Sequence, residues 1–220
     1  MLKIAISGIH GDNGKVLADR LCKVLEKSIG SGTKLFRMSA DFDTDLREDL
    51  GEMQTKAVTL AYIEREMDKL CFSARNDELV VFDRSYVDVA IYYLAAKAMR
   101  EGEMKPPKRA KLEQEVIQLL TEANSCLFVN QRYDIIIFNR LPKRQYELSV
   151  INDPLRSQTI EFRNLVNDFF CNLYTPYLGK RSKLFPRTRI VTNANPFGCK
   201  CSVSSFMRNL IGNEILPVIC

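Results

Sequence analysis

Two short stretches of this sequence hold residue types suited to phosphate chemistry. The first is Gly8-Ile9-His10-Gly11-Asp12-Asn13-Gly14-Lys15-Val16. Glycines in such a bend let backbone N–H groups turn inward around an anion, and a following helix N-terminus adds its dipole. A lysine closing the bend can reach the outer phosphates. The second stretch is Asp83-Arg84-Ser85, directly after the apolar run Glu78–Phe82. A carboxylate at a strand end can hold magnesium or its water, or accept a proton from an attacking group. The arginine beside it offers phosphate two parallel donors. Ser85, in turn, suits the cap of the helix that follows.

The first stretch departs from the phosphate-loop spelling G-x-x-x-x-G-K-[ST], because five residues separate Gly8 from Gly14. Two registers are open. Aligned without a gap from Gly8, Asn13 and Gly14 take the Gly-Lys places and Lys15 takes the place of the hydroxyl residue. With a one-residue bulge, Gly14-Lys15 is the true pair and Val16 stands where Ser or Thr belongs. Neither register leaves a hydroxyl after the lysine to bind magnesium. Asp12 repels a triphosphate unless its carboxylate faces outward. The candidate phosphate-binding set is Gly8, His10, Gly11, Asp12, Asn13, Gly14, Lys15 and Val16. Without a ligand, the same residues form a glycine-rich strand-to-helix turn.

The elements that must position these residues follow from hydrophobic period. Strands are predicted over 2–7, 34–38, 78–82, 133–138 and 187–192. Helical period carries Val16, Leu17, Leu21, Val24, Leu25 and Ile29, then residues 55–75, 85–99, 112–123, 159–173 and 204–211. Pro106-Pro107 marks a break over 105–109, and residues 140–158, polar and basic, read as a loop. Strands alternating with helices imply an α/β fold, a three-layer αβα sandwich around a five-stranded parallel sheet. Ligands in such sheets sit at the carboxyl ends of the strands, which is where both candidate stretches fall.

Composition narrows the class. The 220 residues carry a net charge of +5, spread through the chain, with small basic clusters at 105–111, 143–144 and 180–183. That pattern reads as solvated surface; it suits a nucleotide phosphate and does not call for DNA or RNA. Seven scattered cysteines make an odd number, against a disulfide framework. Cys199-Lys200-Cys201, with a single histidine in the chain, does not meet zinc spacing. No apolar run nears the roughly 20 residues that span a bilayer, and the N-terminal run is too short for a secretory signal. A cytoplasmic protein without a membrane partner is expected. Asp41, Asp43 and Asp45 follow the second strand, and Phe42, Tyr62 and Tyr92 could stack on a base, with core packing as the default for the aromatic rings.

On these residues the chain resembles the P-loop nucleoside and nucleotide kinases, particularly the thymidylate-kinase-like and nicotinamide-riboside-kinase-like groups. The matching positions are Gly8, His10 and Gly11; Asp83, Arg84, Ser85 and Asp88; Tyr133 to Phe138; and Asp153-Pro154-Leu155-Arg156 followed by Glu161-Phe162-Arg163. The resemblance implies the P-loop NTPase fold, one domain over 1–220, and a lid over approximately 140–163. It implies ATP and Mg2+ as cofactors and a nucleoside or nucleoside monophosphate as acceptor. Arg84 would then touch the acceptor, and Asp83 would act at the metal or the acceptor. Arg156 and Arg163 would close over the transferring phosphoryl group, with Lys15 at the donor phosphates. A homodimer also accords with the resemblance. The missing hydroxyl and displaced Lys15 favour the alternative, a nucleotide-binding or regulatory protein that keeps the fold without catalysis. A nucleic-acid partner rests on charge alone.

Overall fold

Burial on both faces decides which strands lie at the centre. In β1 (Leu2–Gly8) and β4 (Ile135–Asn139) every residue is buried, as a strand covered by helices on both sides requires. In the computed structural model these two strands are neighbours in a five-stranded parallel sheet ordered β2-β3-β1-β4-β5. The structure describes residues 2–8, 12–29, 34–38, 53–72, 78–102, 106–126, 132–140, 159–178, 184–185, 188–192 and 212. The remaining strands are β2 (Lys34–Met38), β3 (Glu78–Phe82) and β5 (Arg189–Thr192). The helices are α1 (Asp12–Ser28), α2 (Lys56–Phe72), α3 (Tyr86–Glu101), α4 (Pro106–Cys126) and α5 (Ile160–Tyr174).

Alternation along each strand builds two cores. Leu2, Ile4 and Ile6 of β1, with Val81 and Ile137, pack against Leu17, Ala18, Leu21 and Leu25 of α1. Ala5, Phe82, Ile136 and Phe138 face the other way, onto α2, α3, α4 and α5. The expected three-layer sandwich is therefore present, with α1 on one face and the other four helices opposite. Phe138 shows how densely the larger core is filled. Its ring lies 6.1 Å from that of Phe170 and 5.1 Å from that of Tyr174. Burying one such ring contributes about 1.5–3 kcal/mol.

Edge strand β2 differs from the central strands. Lys34, Phe36 and Arg37 are exposed, and the two cations discourage further strand pairing along that edge.

The strand order places the ligand crevice. Right-handed crossovers send the chain leaving β1 to the α1 face, while the chain leaving β3 and β4 goes to the opposite face. The carboxyl end of β1 is thus flanked on both sides by strands that exit the other way, a topological switch point.

Most predicted boundaries shift by one or two residues. The larger correction is α4, which begins at Pro106 rather than after a break over 105–109. The first turn of a helix has no intrahelical use for its N–H groups, so proline is tolerated there and its fixed φ is already helical. The predicted helix over 204–211 and all but the first residue of the predicted loop over 140–158 lie outside the described residues.

Candidate functional site

Gly8 closes β1 at the switch point. Its φ is +150°, and a Cβ built there would lie 2.7 Å from the backbone oxygen of Asn139, its partner on β4. Glycine is demanded by the close approach of two strand ends, a reason the sequence alone does not reveal. Only residues 9–11 separate Gly8 from α1, which begins at Asp12. Asp12, Asn13, Gly14 and Lys15 therefore belong to the first turn of α1, where backbone N–H groups lack intrahelical acceptors. Val16 follows and is 43% exposed. His10 and Gly11 lie outside the described residues.

Asp83 and Arg84 occupy the turn between β3 and α3, next to β1 in the sheet. The Asp83 N–H donates to the Met38 carbonyl at 3.2 Å, tying the turn to the end of β2. The Asp83 carboxylate is buried, and Arg37 of β2 approaches it at 3.7 Å while also pairing with Asp19 of α1. One guanidinium thus links β2, α1 and the strand-end carboxylate. Arg37 shows no sign of this role in sequence, because it depends on β2 and β3 being neighbours. Arg84 is half-buried.

Behind this turn lies a cluster of buried polar side chains. Ser7 of β1 donates its hydroxyl to Asp88 of α3 and lies 2.7 Å from the Tyr174 hydroxyl at the end of α5. The Ser85 hydroxyl lies 3.0 Å from Asp88 Oδ1 and 3.2 Å from Ser7 Oγ. Asp88 Oδ2 also reaches back to the Ser85 N–H at 3.5 Å. Burial pushes the Asp88 carboxyl up to about 7, although the hydroxyl of Ser7, the charge of Arg84 and the donors on Ser85 pull it down.

That elevation has a sign in stability. With the folded value near 7 and the unfolded one near 3.8, the native state holds a proton that the unfolded state has released. Stability from this group is complete below the unfolded value and is lost as pH rises through about 7. The ceiling is on the order of 4 kcal/mol. In urea titrations from pH 5 to pH 8, wild type is expected to lose stability relative to Asp88→Asn; parallel curves would refute the assignment.

No protein-family model matches the chain. No curated protein matches it either. Solved structures do. The deoxyadenosine kinase from M. mycoides with bound dATP aligns over 97% of this chain and 99% of that one, with a TM-score of 0.61 and 14% identity. The M. mycoides deoxyadenosine kinase with products dCMP and a flexible dCDP bound aligns over 99% and 100%, with a TM-score of 0.57 and 14% identity. The chain shares the fold of these structures.

Within this fold, Gly8, the start of α1 and Asp83-Arg84 converge at the carboxyl end of the sheet. Arg163 stands near the start of α5. It is buried in the first turns of α5 at 2% exposed, beside Phe162, whose ring packs 5.8 Å from that of Tyr92 on α3. Arg156, Asp41, Phe42, Asp43 and Asp45 are outside the described residues. Tyr62 and Tyr92 are both core residues at 2% exposed. Ser7 and Tyr174 were not singled out by sequence. Ser7 had a faint signal, a hydroxyl directly after the apolar run Ile4-Ala5-Ile6; Tyr174 had none.

Among the described residues, no group of three or more His, Cys, Asp or Glu side chains is placed to share a metal ion. The Asp83 carboxylate is of the donor type magnesium takes, one or two carboxylates with phosphates and water completing the shell. No helix among the described residues is long and apolar enough to cross a membrane.

Proposed function

We propose that this chain is a phosphotransferase that moves the γ-phosphoryl group of ATP to a nucleoside or nucleoside monophosphate. The observation that carries this reading is the pairing, at one topological switch point, of Gly8 and the start of α1 with Asp83-Arg84 on the adjacent strand. Anion-binding amides and an acceptor-binding arginine then share one crevice. The alignment with a deoxyadenosine kinase points to deoxynucleosides as the first acceptors to try.

The acceptor's hydroxyl, or the phosphate oxygen of a monophosphate, attacks the γ-phosphorus and gives up any proton it carries, the bond from γ-phosphorus to the β-phosphate oxygen breaks, and ADP leaves. Such transfers are catalysed by positioning and charge neutralisation. The amides at the start of α1 and Lys15 bind donor phosphates, with Gly8, His10, Gly11, Asp12, Asn13, Gly14 and Val16 shaping that loop. Arg84 holds the acceptor. Asp83, kept in place by Arg37, takes the acceptor proton or holds magnesium. Bound magnesium neutralises phosphate charge. Arg156 and Arg163 complete the positive charge around the transferring group. A cytoplasmic location accords with such substrates.

The test is ADP release from ATP and Mg2+ across a panel of deoxynucleosides, ribonucleosides and their monophosphates. Turnover with at least one acceptor is expected, and a panel that stays blank sinks the reading. One observation favours a second reading, a nucleotide-binding protein without catalysis: Val16, not a hydroxyl residue, follows Lys15. In that case ADP raises the melting temperature while no acceptor turns over.

A further inference from the structure

The Ser7–Ser85–Asp88–Tyr174 cluster is expensive for a core to hold. All four residues are at most 1% exposed, and the rings of Phe138, Phe170 and Phe185 pack around Tyr174. Polar groups in such surroundings are costly unless mutually satisfied, and a half-satisfied network is worse than an apolar one. Apolar side chains would fill the same volume without this risk. The cluster's place in the fold suggests what offsets the cost. Ser7 immediately precedes Gly8 at the root of the phosphate loop, Ser85 immediately follows Arg84, and Tyr174 ends the helix that carries Arg163. Asp88 joins them: its Oδ1 receives the hydroxyls of Ser7 and Ser85, and Ser7 passes the connection to Tyr174.

Asp83 is anchored separately. It pairs with Arg37, which reaches Asp19 of α1 on the opposite face of the sheet. The Asp83-Arg84 turn is therefore held from two directions, by Arg37 on the α1 side and by Asp88 on the α3–α5 side.

We propose that Asp88 is a positioning residue, tying the root of the phosphate loop to the acceptor-binding turn and to α5, so that donor and acceptor edges of the crevice keep one alignment. This rests on the phosphotransferase reading above. A misalignment of about 1 Å can lower turnover on the order of 10²-fold. It does so without weakening either substrate's own contacts, so the loss belongs in kcat.

The experiment compares wild type, Asp88→Ala, Asp88→Asn and Ser7→Ala below the melting temperature of each, with rates normalised to the folded fraction. Asp88→Ala is expected to lower kcat at least 30-fold while KM for ATP and for acceptor stays within threefold. Asp88→Asn keeps an oxygen that accepts both serine hydroxyls and is expected to recover kcat to within about fivefold of wild type; Ser7→Ala is expected to fall between. Hydrogen exchange supplies a readout independent of turnover. In Asp88→Ala, amides of residues 7–8, 83–88 and 170–174 should exchange at least tenfold faster, with residues 79–81 unchanged. Wild-type kcat in folded Asp88→Ala overturns the proposal, as does unchanged exchange at those three segments. A wild type that turns over no acceptor refutes the phosphotransferase reading instead, and exchange then decides the tie by itself.

Discussion

Replacing Arg84 by alanine is expected to lower phosphoryl-transfer turnover by about 10³-fold or more, the range lost when a charge-neutralising arginine is removed from such a site. The physical case rests on where the side chain stands. The turn that bears Arg84 is fixed at both ends, by the Asp83 N–H to Met38 on one side and by the Ser85–Asp88 contacts on the other. Arg84 is half-buried on that turn. Arg84→Lys keeps the charge but loses the planar fork and should recover only a small part of the activity. The check is kcat with the best acceptor from the panel, alongside thermal unfolding. Activity in Arg84→Ala within tenfold of wild type, in a folded protein, removes Arg84 from the mechanism.

Gly8→Ala carries the second large effect, this time on stability. A residue with a side chain at φ +150° is strained, and its Cβ would meet the Asn139 carbonyl oxygen at 2.7 Å. That oxygen belongs to backbone paired with β1 over Ile4 to Gly8, so it cannot retreat without loosening the central ladder. Strain of this kind costs on the order of 1–3 kcal/mol, and the collision adds to it; a loss of about 2–4 kcal/mol is expected by urea unfolding. Gly102 is the control. It also has a positive φ, +72°, but nothing lies within 4 Å of its would-be Cβ, so Gly102→Ala should cost only about 1 kcal/mol. Equal losses at the two positions would show that the close contact with Asn139 contributes nothing.

Much of the architecture was legible from periodicity. Continuous apolar runs of strand length around Val80 and Ile136 read as strands covered on both faces, and the spacing of Leu17, Leu21 and Leu25 reads as one face of a helix. These are local properties, set by the 2.0 and 3.6 residue repeats of the backbone. Asp83 and Arg84 were legible for the same reason, since a charged pair directly after a buried strand must emerge at its carboxyl end. Where local rules permit two outcomes the reading erred. Pro106-Pro107 can break a helix or start one, and here it starts one.

The chain's own order of residues determined which segments are strands and helices, and placed Gly8 and Asp83-Arg84 at strand ends. Tertiary structure alone decided who stands next to whom. Ser7 meets Asp88 across 81 residues of chain and Tyr174 across 167, and Arg37 meets Asp83 because β2 lies beside β3. Neighbours of that kind follow from the strand order and the hand of the crossovers, which no repeat along the chain encodes. The glycine at position 8 belongs to both levels: its type suits a phosphate bend, but the requirement for it comes from Asn139, a residue that only folding brings within reach.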